Sequence, residues 1–218
     1  VERVPVPSLG LTYGAGHPLS GMDVVEIRGM TAREEDILSN RALLKKGTVI
    51  TELIKSSLID RTIDPSSLLN GDRNALMVAI RITGYGADYE AEIECSDCQH
   101  KGPQTFNLAE LPIRRLSLRP IAEGQNAFEF VLPFTRKQVQ FRFLTGRDEE
   151  DMLAAQQQQQ KLGLGDAGST NVTTNLTRSI ISVAGVTDRQ KIRAFVSSMM
   201  PARDSLALRT YMRENEPG

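Results

Sequence analysis

Between residues 28 and 86 the chain carries helix-start and helix-stop signals so densely that few other local structures remain open to it. Thr31 followed by Glu34 is a capping box, in which each side chain satisfies the other residue's backbone amide. Glu34, Glu35 and Asp36 put negative charge in the first turn, where the helix dipole favours it. This predicts a helix to about Ser39 or Leu44, broken at Gly47. Thr48 opens a second helix with Val49, Leu53, Ile54 and Leu58 on one face. Asp64 and Pro65 start a short helical turn that Asn70 and Gly71 stop. Asp72 then reads as the N-cap of a longer helix. Its Ala75, Leu76, Val78, Ala79, Ile80 and Ile82 make it the expected central buried helix, and Gly84 and Gly86 end it. Valine and isoleucine at 78–82 leave a strand as the alternative there.

On either side the signals are sparser. Residues 1–21 hold Pro5, Pro7 and Pro18 among several glycines. They read as an extended arm that a lone domain leaves loose and a neighbouring chain orders. Residues 23–28 suit a short strand. Beyond Gly86, Tyr89, Ala91, Ile93 and Cys95 alternate with Glu90, Glu92 and Glu94, the pattern of a half-buried strand with an acidic solvated face. The chain turns at Cys95, Cys98 and His100 and returns over 104–108, a hairpin with cysteines at its tip. Residues 111–120 read as a connecting strand.

A second hairpin spans 127–133 and 139–144, with Phe128 and Phe130 facing one way and Val139, Phe141 and Phe143 doing likewise on the partner. Thr145 and Asp148 cap a helix that runs through the glutamines at 156–160 and closes at Gly163 and Gly165. Residues 163–171 read as a link and 171–183 as a helix. Thr187 and Gln190 suggest another capping box, and Pro201 starts the last helix. The fold class is therefore α+β: an N-terminal helical block, two antiparallel β-hairpins in the middle and C-terminal helices. The expected regions are an extended arm (1–21), a helical block (22–86), a hairpin region (87–145) and a C-terminal helical region (146–218). No internal repeat is evident beyond the two hairpins, which differ in sequence.

Composition narrows the function. A formal net charge of -1 provides no field for steering onto nucleic acid or an anionic membrane. Aromatic residues make up 5% and tryptophan is absent, which is thin for a base-stacking surface. No apolar run is long enough to span a bilayer. Two cysteines two residues apart suit a reducing compartment better than a disulfide framework.

Cys95, Cys98 and His100 form the sharpest chemical signal. Two thiolates at this spacing can share one Zn²⁺ in a tight turn, but a structural zinc site wants four ligands. His100 is a candidate third, and there is no second CxxC. The plainer reading is a hairpin tip with two free thiols. A redox role fits poorly, because the motif does not sit at a helix N-terminus that would lower a thiol pKa. The acidic clusters at 34–36 and 148–151 are explained as first-turn helix charges. Asp72 and Arg73 read as a turn and cap, with Arg73 pairing nearby carboxylates. With no GxxxxGK[ST], GxSxG or HExxH, and neither histidine in an acid-base setting, an enzyme is not expected.

Four stretches carry a family resemblance: Arg28-Gly29-Met30-Thr31 with Arg33-Glu34-Glu35-Asp36; Gly71-Asp72-Arg73-Asn74; Ile80-Arg81-Ile82-Thr83-Gly84-Tyr85-Gly86; and the Cys95/Cys98 pair. Together they resemble the T4-like baseplate protein family of contractile-tailed phages, most clearly over 22–150. The resemblance implies a non-enzymatic structural component of a tail baseplate, in the hub or inner wedge region. Its partners would be other hub, wedge and tail proteins, in several copies of a symmetric assembly, without nucleic acid or membrane. It would sit in the virion tail, and in the host cytoplasm during assembly. Arg28, Met30, Arg33, Glu34, Asp72, Arg73 and Tyr85 would then be subunit-interface or structural motif residues. The alternatives are a hub assembly chaperone that leaves before the virion matures, and a zinc-knuckle binding module. Many members carry a second CxxC and an aromatic end beyond the last helix, neither of which occurs before Gly218. Such a pair would complete the zinc ligands of Cys95 and Cys98.

Overall fold

A computed structural model of the chain describes residues 1–94, 96–161 and 172–218. The fold is α+β, with small antiparallel sheets among helices. In order, the elements are β1 (Glu2–Pro5), β2 (Val24–Ile27), α1 (Ala32–Ser39), α2 (Arg41–Lys46), α3 (Val49–Ser57), a 3-10 turn (Pro65–Ser67) and α4 (Asn70–Tyr85). There follow β3 (Asp88–Glu94), β4 (Lys101–Asn107), β5 (Phe128–Val131), β6 (Gln138–Phe141) and α5 (Gly146–Lys161). The chain ends with α6 (Val172–Ser179), β7 (Ile180–Val183), α7 (Arg189–Ala194), a π-helical turn (Phe195–Met199) and α8 (Ala202–Asn215).

The helix signals at 28–86 act much as their chemistry demands. Thr31 and Glu34 close their capping box on α1. Asn40 ends that helix and caps the next, its side-chain oxygen accepting from the amides of Ala42 (3.0 Å) and Leu43 (3.1 Å). At Gly47 the backbone is left-handed, and an added Cβ would stand 2.0 Å from Leu153 Cδ2. The central stretch of α4 is helical, with Leu76 and Ile80 buried. Asp72 is not its N-cap, because the helix begins two residues earlier and Asp72 lies in its first turn.

The N-terminal segment is a larger correction. It is no loose arm: β1 pairs with β2, and Val4, Val6, Tyr13 and Leu19 are buried in the common core. Prolines at 5 and 7 break the alternation that would have marked the strand, yet leave every second side chain pointing inward. Residues 111–120 form no strand, and Leu111 and Ile113 are exposed. The helix expected over 171–183 stops at Ser179. Ile180–Val183 becomes β7, which joins the second hairpin in a three-stranded sheet. Asn171 and the link at 163–171 lie outside the described residues, as does the closure of α5 at Gly163 and Gly165.

The structure also reveals an internal repeat that the sequence did not suggest. Residues 2–85 and 128–215 follow the same plan, with the β3–β4 hairpin inserted between them. Each half opens with an antiparallel pair in the same register: Glu2 opposite Ile27 and Pro5 opposite Val24, then Phe128 opposite Phe141 and Val131 opposite Gln138. The next amide closes each pair alike, Val6 onto the Asp23 carbonyl at 2.8 Å and Leu132 onto that of Lys137 at 2.9 Å. An arginine then leaves the second strand. The Arg28 amide donates to the Ser57 carbonyl at 2.9 Å, and that of Arg142 to Ser179 at 2.8 Å. The following residues pair back equivalently, Leu58 with Ile27 and Ile180 with Phe141. Each half ends in a helix with an aspartate at its third position and a fully buried leucine four residues on: Asp72 and Leu76, Asp204 and Leu208.

The halves meet at a short ladder. The Asn70 amide donates to the Leu144 carbonyl and the Gly146 amide to the Leu68 carbonyl, both at 3.1 Å. Arg73 is buried behind this ladder, and a Cβ on Gly146 would fall 1.3 Å from its Nη1. Gly146→Ala is therefore expected to cost about 1–3 kcal/mol through overpacking. Gly29→Ala, whose Cβ would meet nothing within 4 Å, should change stability by no more than ~0.5 kcal/mol. Urea unfolding of the two variants checks this.

Candidate subunit-contact surface

Four helices carry a carboxylate at their third position, and all four carboxylate residues are buried: Glu34 on α1, Asp72 on α4, Asp148 on α5 and Asp204 on α8. They fall into two kinds. Glu34 and Asp148 each grip the arginine six residues before them. Arg28 Nη2 lies 2.5 Å from Glu34 Oε1, and Glu34 also accepts from the Thr31 amide (2.9 Å) and from the Thr31 and Ser56 hydroxyls. Arg142 meets Asp148 through two bonds of 2.6 and 2.7 Å, and the Thr145 amide adds one of 2.9 Å.

Asp72 and Asp204 instead hold the connector of their own half's β-pair. Asp72 accepts from the Ser8 amide (2.8 Å), the Ser8 hydroxyl (2.6 Å) and the Tyr13 hydroxyl (2.6 Å). The Tyr13 hydroxyl in turn accepts from the Leu69 amide at 2.9 Å. Asp204 accepts from the amides of Phe134 (2.8 Å) and Thr135 (3.0 Å) and from the Thr135 hydroxyl (2.7 Å).

These environments set the acidities. Burial opposes the charge of Glu34, but the bonds from Ser56, Thr31 and Arg28 outweigh it and hold the carboxyl down at about 2. Burial likewise opposes charge at Asp148 and Asp204. Arg142 with Thr145, and Phe134 with Thr135, still keep them below the usual carboxylate range. At Asp72 burial wins over its bonds from Ser8 and Tyr13 and raises the carboxyl. Burial, with Asp72 beside it, also pushes the Tyr13 phenol upward.

The sign of the pH effect follows. Glu34, Asp148 and Asp204 contribute stability that is present above their unfolded values and is lost as pH falls through their folded ones. Asp72 works oppositely: its contribution is present below its unfolded value and is lost as pH rises. Asp60 and Asp64 are lowered likewise, while burial raises Glu149 and Glu216 as it does Asp72. With five lowered carboxyls against three raised ones among the described residues, the urea midpoint should fall as pH drops from about 4.5 to about 2, and Glu34→Gln should flatten that fall.

Of the other expected motif residues, Met30 and Tyr85 are engaged within the chain. Met30 packs on Gly84, its Sδ 3.0 Å from where a Cβ would stand, and its amide donates to Thr83 Oγ1. The Tyr85 hydroxyl donates to Glu35 at 3.0 Å, tying the end of α4 to α1. Arg73 forms no direct ion pair among the described residues. Burial lowers its pKa, while Glu149, Glu150 and Asp64 act the other way. Arg33 is exposed and has no ion pair among the described residues.

The β3–β4 hairpin presents the opposite picture. Tyr89 stands opposite Phe106, Ala91 opposite Gln104 and Ile93 opposite Gly102, so these pairs share a face. Tyr89, Ile93 and Phe106 are 45%, 39% and 36% exposed, so the face expected to be half-buried is left uncovered by the chain. Glu90, Glu92 and Glu94 occupy the reverse face. At the hairpin's root, Arg81 lies over the Tyr85 ring at 4.8 Å and bonds the Gly86 carbonyl. Nearby, a groove of about 700 Å³ runs along α4 between Val4, Val78, Ile82, Leu108 and Ile113. At the turn Cys98 and His100 are exposed, while Cys95 lies outside the described residues. No group of three His, Cys, Asp or Glu side chains suited to a metal occurs among the described residues. Nor is any helix among them long and apolar enough to cross a membrane.

Charged motifs tied inside the chain, beside an apolar hairpin face left open, describe a scaffold with a contact surface. Residues 15–122, which hold most of that surface, match the T4 bacteriophage base plate protein family, and the chain belongs to the T4-like baseplate proteins. No curated protein and no solved structure matches it. The family implies contact with other phage baseplate or tail proteins and a place in the virion tail.

Proposed function

We propose that the chain is a structural component of a contractile tail baseplate, in the hub or inner wedge region, and acts through subunit contacts rather than catalysis. The observation that carries this reading is the uncovered face of Tyr89, Ile93 and Phe106. A two-stranded hairpin is marginal on its own, and one that leaves three large apolar side chains in water gains most from a partner that covers them. Buried carboxylates tie together the elements of each half on either side of the hairpin. The acidic reverse face repels phosphate, which argues against nucleic acid as the occupant.

Mass spectrometry of purified particles tests the reading. The chain is expected in mature tails in fixed proportion to other baseplate proteins. Its presence in assembly intermediates alone would overturn the structural role in favour of an assembly chaperone. Zinc would need Cys98 and His100 to be joined by ligands beyond the described residues. Elemental analysis of the purified chain, with Cys98→Ser as comparison, measures whether it is held.

A further inference from the structure

The duplicated plan leaves two edges open. Inside the chain, the first half presents Leu68, Leu69 and Asn70, and the second half answers with Leu144, Thr145 and Gly146. Arg147 crosses the same junction to Asp64 at 2.8 Å. By the repeat, Thr145, Gly146 and Arg147 correspond to Thr31, Ala32 and Arg33, and all three of the latter are exposed. Leu68, Leu69 and Asn70 correspond to Met200, Pro201 and Ala202. Of these Met200 and Pro201 are half-buried and Ala202 is exposed, beside Met199 at 66% exposure. Asp64, which caps its 3-10 turn, has its counterpart in Asp188, which caps α7 and is exposed.

From this we infer that a second copy of the chain docks head to tail, its Thr31–Arg33 edge pairing with the Pro201 edge of the first as the halves pair within one chain. Three details fit. The Leu69 amide is not part of the internal ladder, since it donates to the Tyr13 hydroxyl. A proline at the matching position therefore sacrifices no junction bond. Second, the internal junction fits a long Arg73 against a Gly146 with no side chain, whereas the open edges carry the small Ser205 and Ala32, so neither edge places a long side chain in the way of the other. Third, Arg33 and Asp188 are both exposed and carry the same pair of charges as Arg147 and Asp64. Such a contact is heterologous, so it builds rings or open arrays according to its rotation.

The inference rests on the duplication and not on the baseplate role, so the two stand or fall separately. Sedimentation velocity of the purified full chain over a concentration series tests it. Wild type should associate as concentration rises. Ser205→Arg should abolish association, because the long side chain then faces the Cβ of Ala32. Ser205→Arg combined with Ala32→Gly should restore it by recreating the internal junction. Ala32→Trp, at an exposed helix start, should block association with its thermal unfolding unchanged. A wild type that stays monomeric to its solubility limit, or variants Ser205→Arg and Ala32→Trp that associate as wild type does, would overturn it.

Discussion

Glu34→Ala is expected to cost about 3–5 kcal/mol of folding stability, the range for breaking a buried ion pair from one side. Glu34 is fully buried and accepts from Arg28, Ser56 and the Thr31 backbone and side chain. Its loss strands an arginine side chain that is 29% exposed and so only partly able to recover water. That exposure points to the lower end of the range. The neighbouring Arg33→Ala, at an exposed position, should shift stability by no more than ~0.5 kcal/mol. Equilibrium urea unfolding of the two variants makes the comparison. Equal, small effects would mean that Glu34 does not tie α1 to α3.

Asp72→Ala should be comparably severe, at about 3 kcal/mol, because it orphans several buried donors at ~1–3 kcal/mol each. Ser8 and Tyr13 are almost wholly buried, so water cannot replace the carboxylate. Asp204→Ala removes as many bonds, but its donors sit beside a Phe134 that is 62% exposed. Water can reach them, and the cost should stay near ~1 kcal/mol. Hydrogen exchange should also separate the two. Asp72→Ala is expected to release the amides of 6–23, whereas Asp204→Ala should release only those around 132–137. If Asp72→Ala leaves exchange at 6–23 unchanged, Asp72 is not what holds the N-terminal segment.

The contrast between these aspartates shows what the sequence could and could not convey. Local signals were legible: the capping box at Thr31, the helix break at Gly47, the strict alternation at 89–94. Each is set by neighbours within a few residues. The acidic first turns were also legible, but only as dipole partners. That Glu34 and Asp148 reach back to arginines, and that Asp72 and Asp204 reach across to connectors, depends on tertiary placement. The N-terminal segment looked unable to pack alone because its partner, Asp72, lies 64 residues away. β7 was hidden because Ile180 and Val183 suit a helix face as well as a strand, and only the open edge of β6 decides between them.

The repeat was masked in a different way. Its halves keep register only in pieces: Arg28 maps to Arg142, Ser57 to Ser179 and Asp72 to Asp204, with connectors of unequal length between them. One signal could have revealed it. Arg28, Thr31, Arg33, Glu34 and Glu35 recur with identical spacing as Arg142, Thr145, Arg147, Asp148 and Glu149. The candidate surface was half legible. Alternation identified the apolar face of β3, but whether the chain covers that face is a fact of packing alone.

A density map of the intact baseplate tests whether the chain is a structural subunit there. The chain is expected in the assembled tail, with Glu34, Asp72, Asp148 and Asp204 bonded within their own subunit and the face of Tyr89, Ile93 and Phe106 covered by a neighbouring subunit. A map in which that hairpin face stands in solvent while the four carboxylates cross subunit boundaries would contradict it.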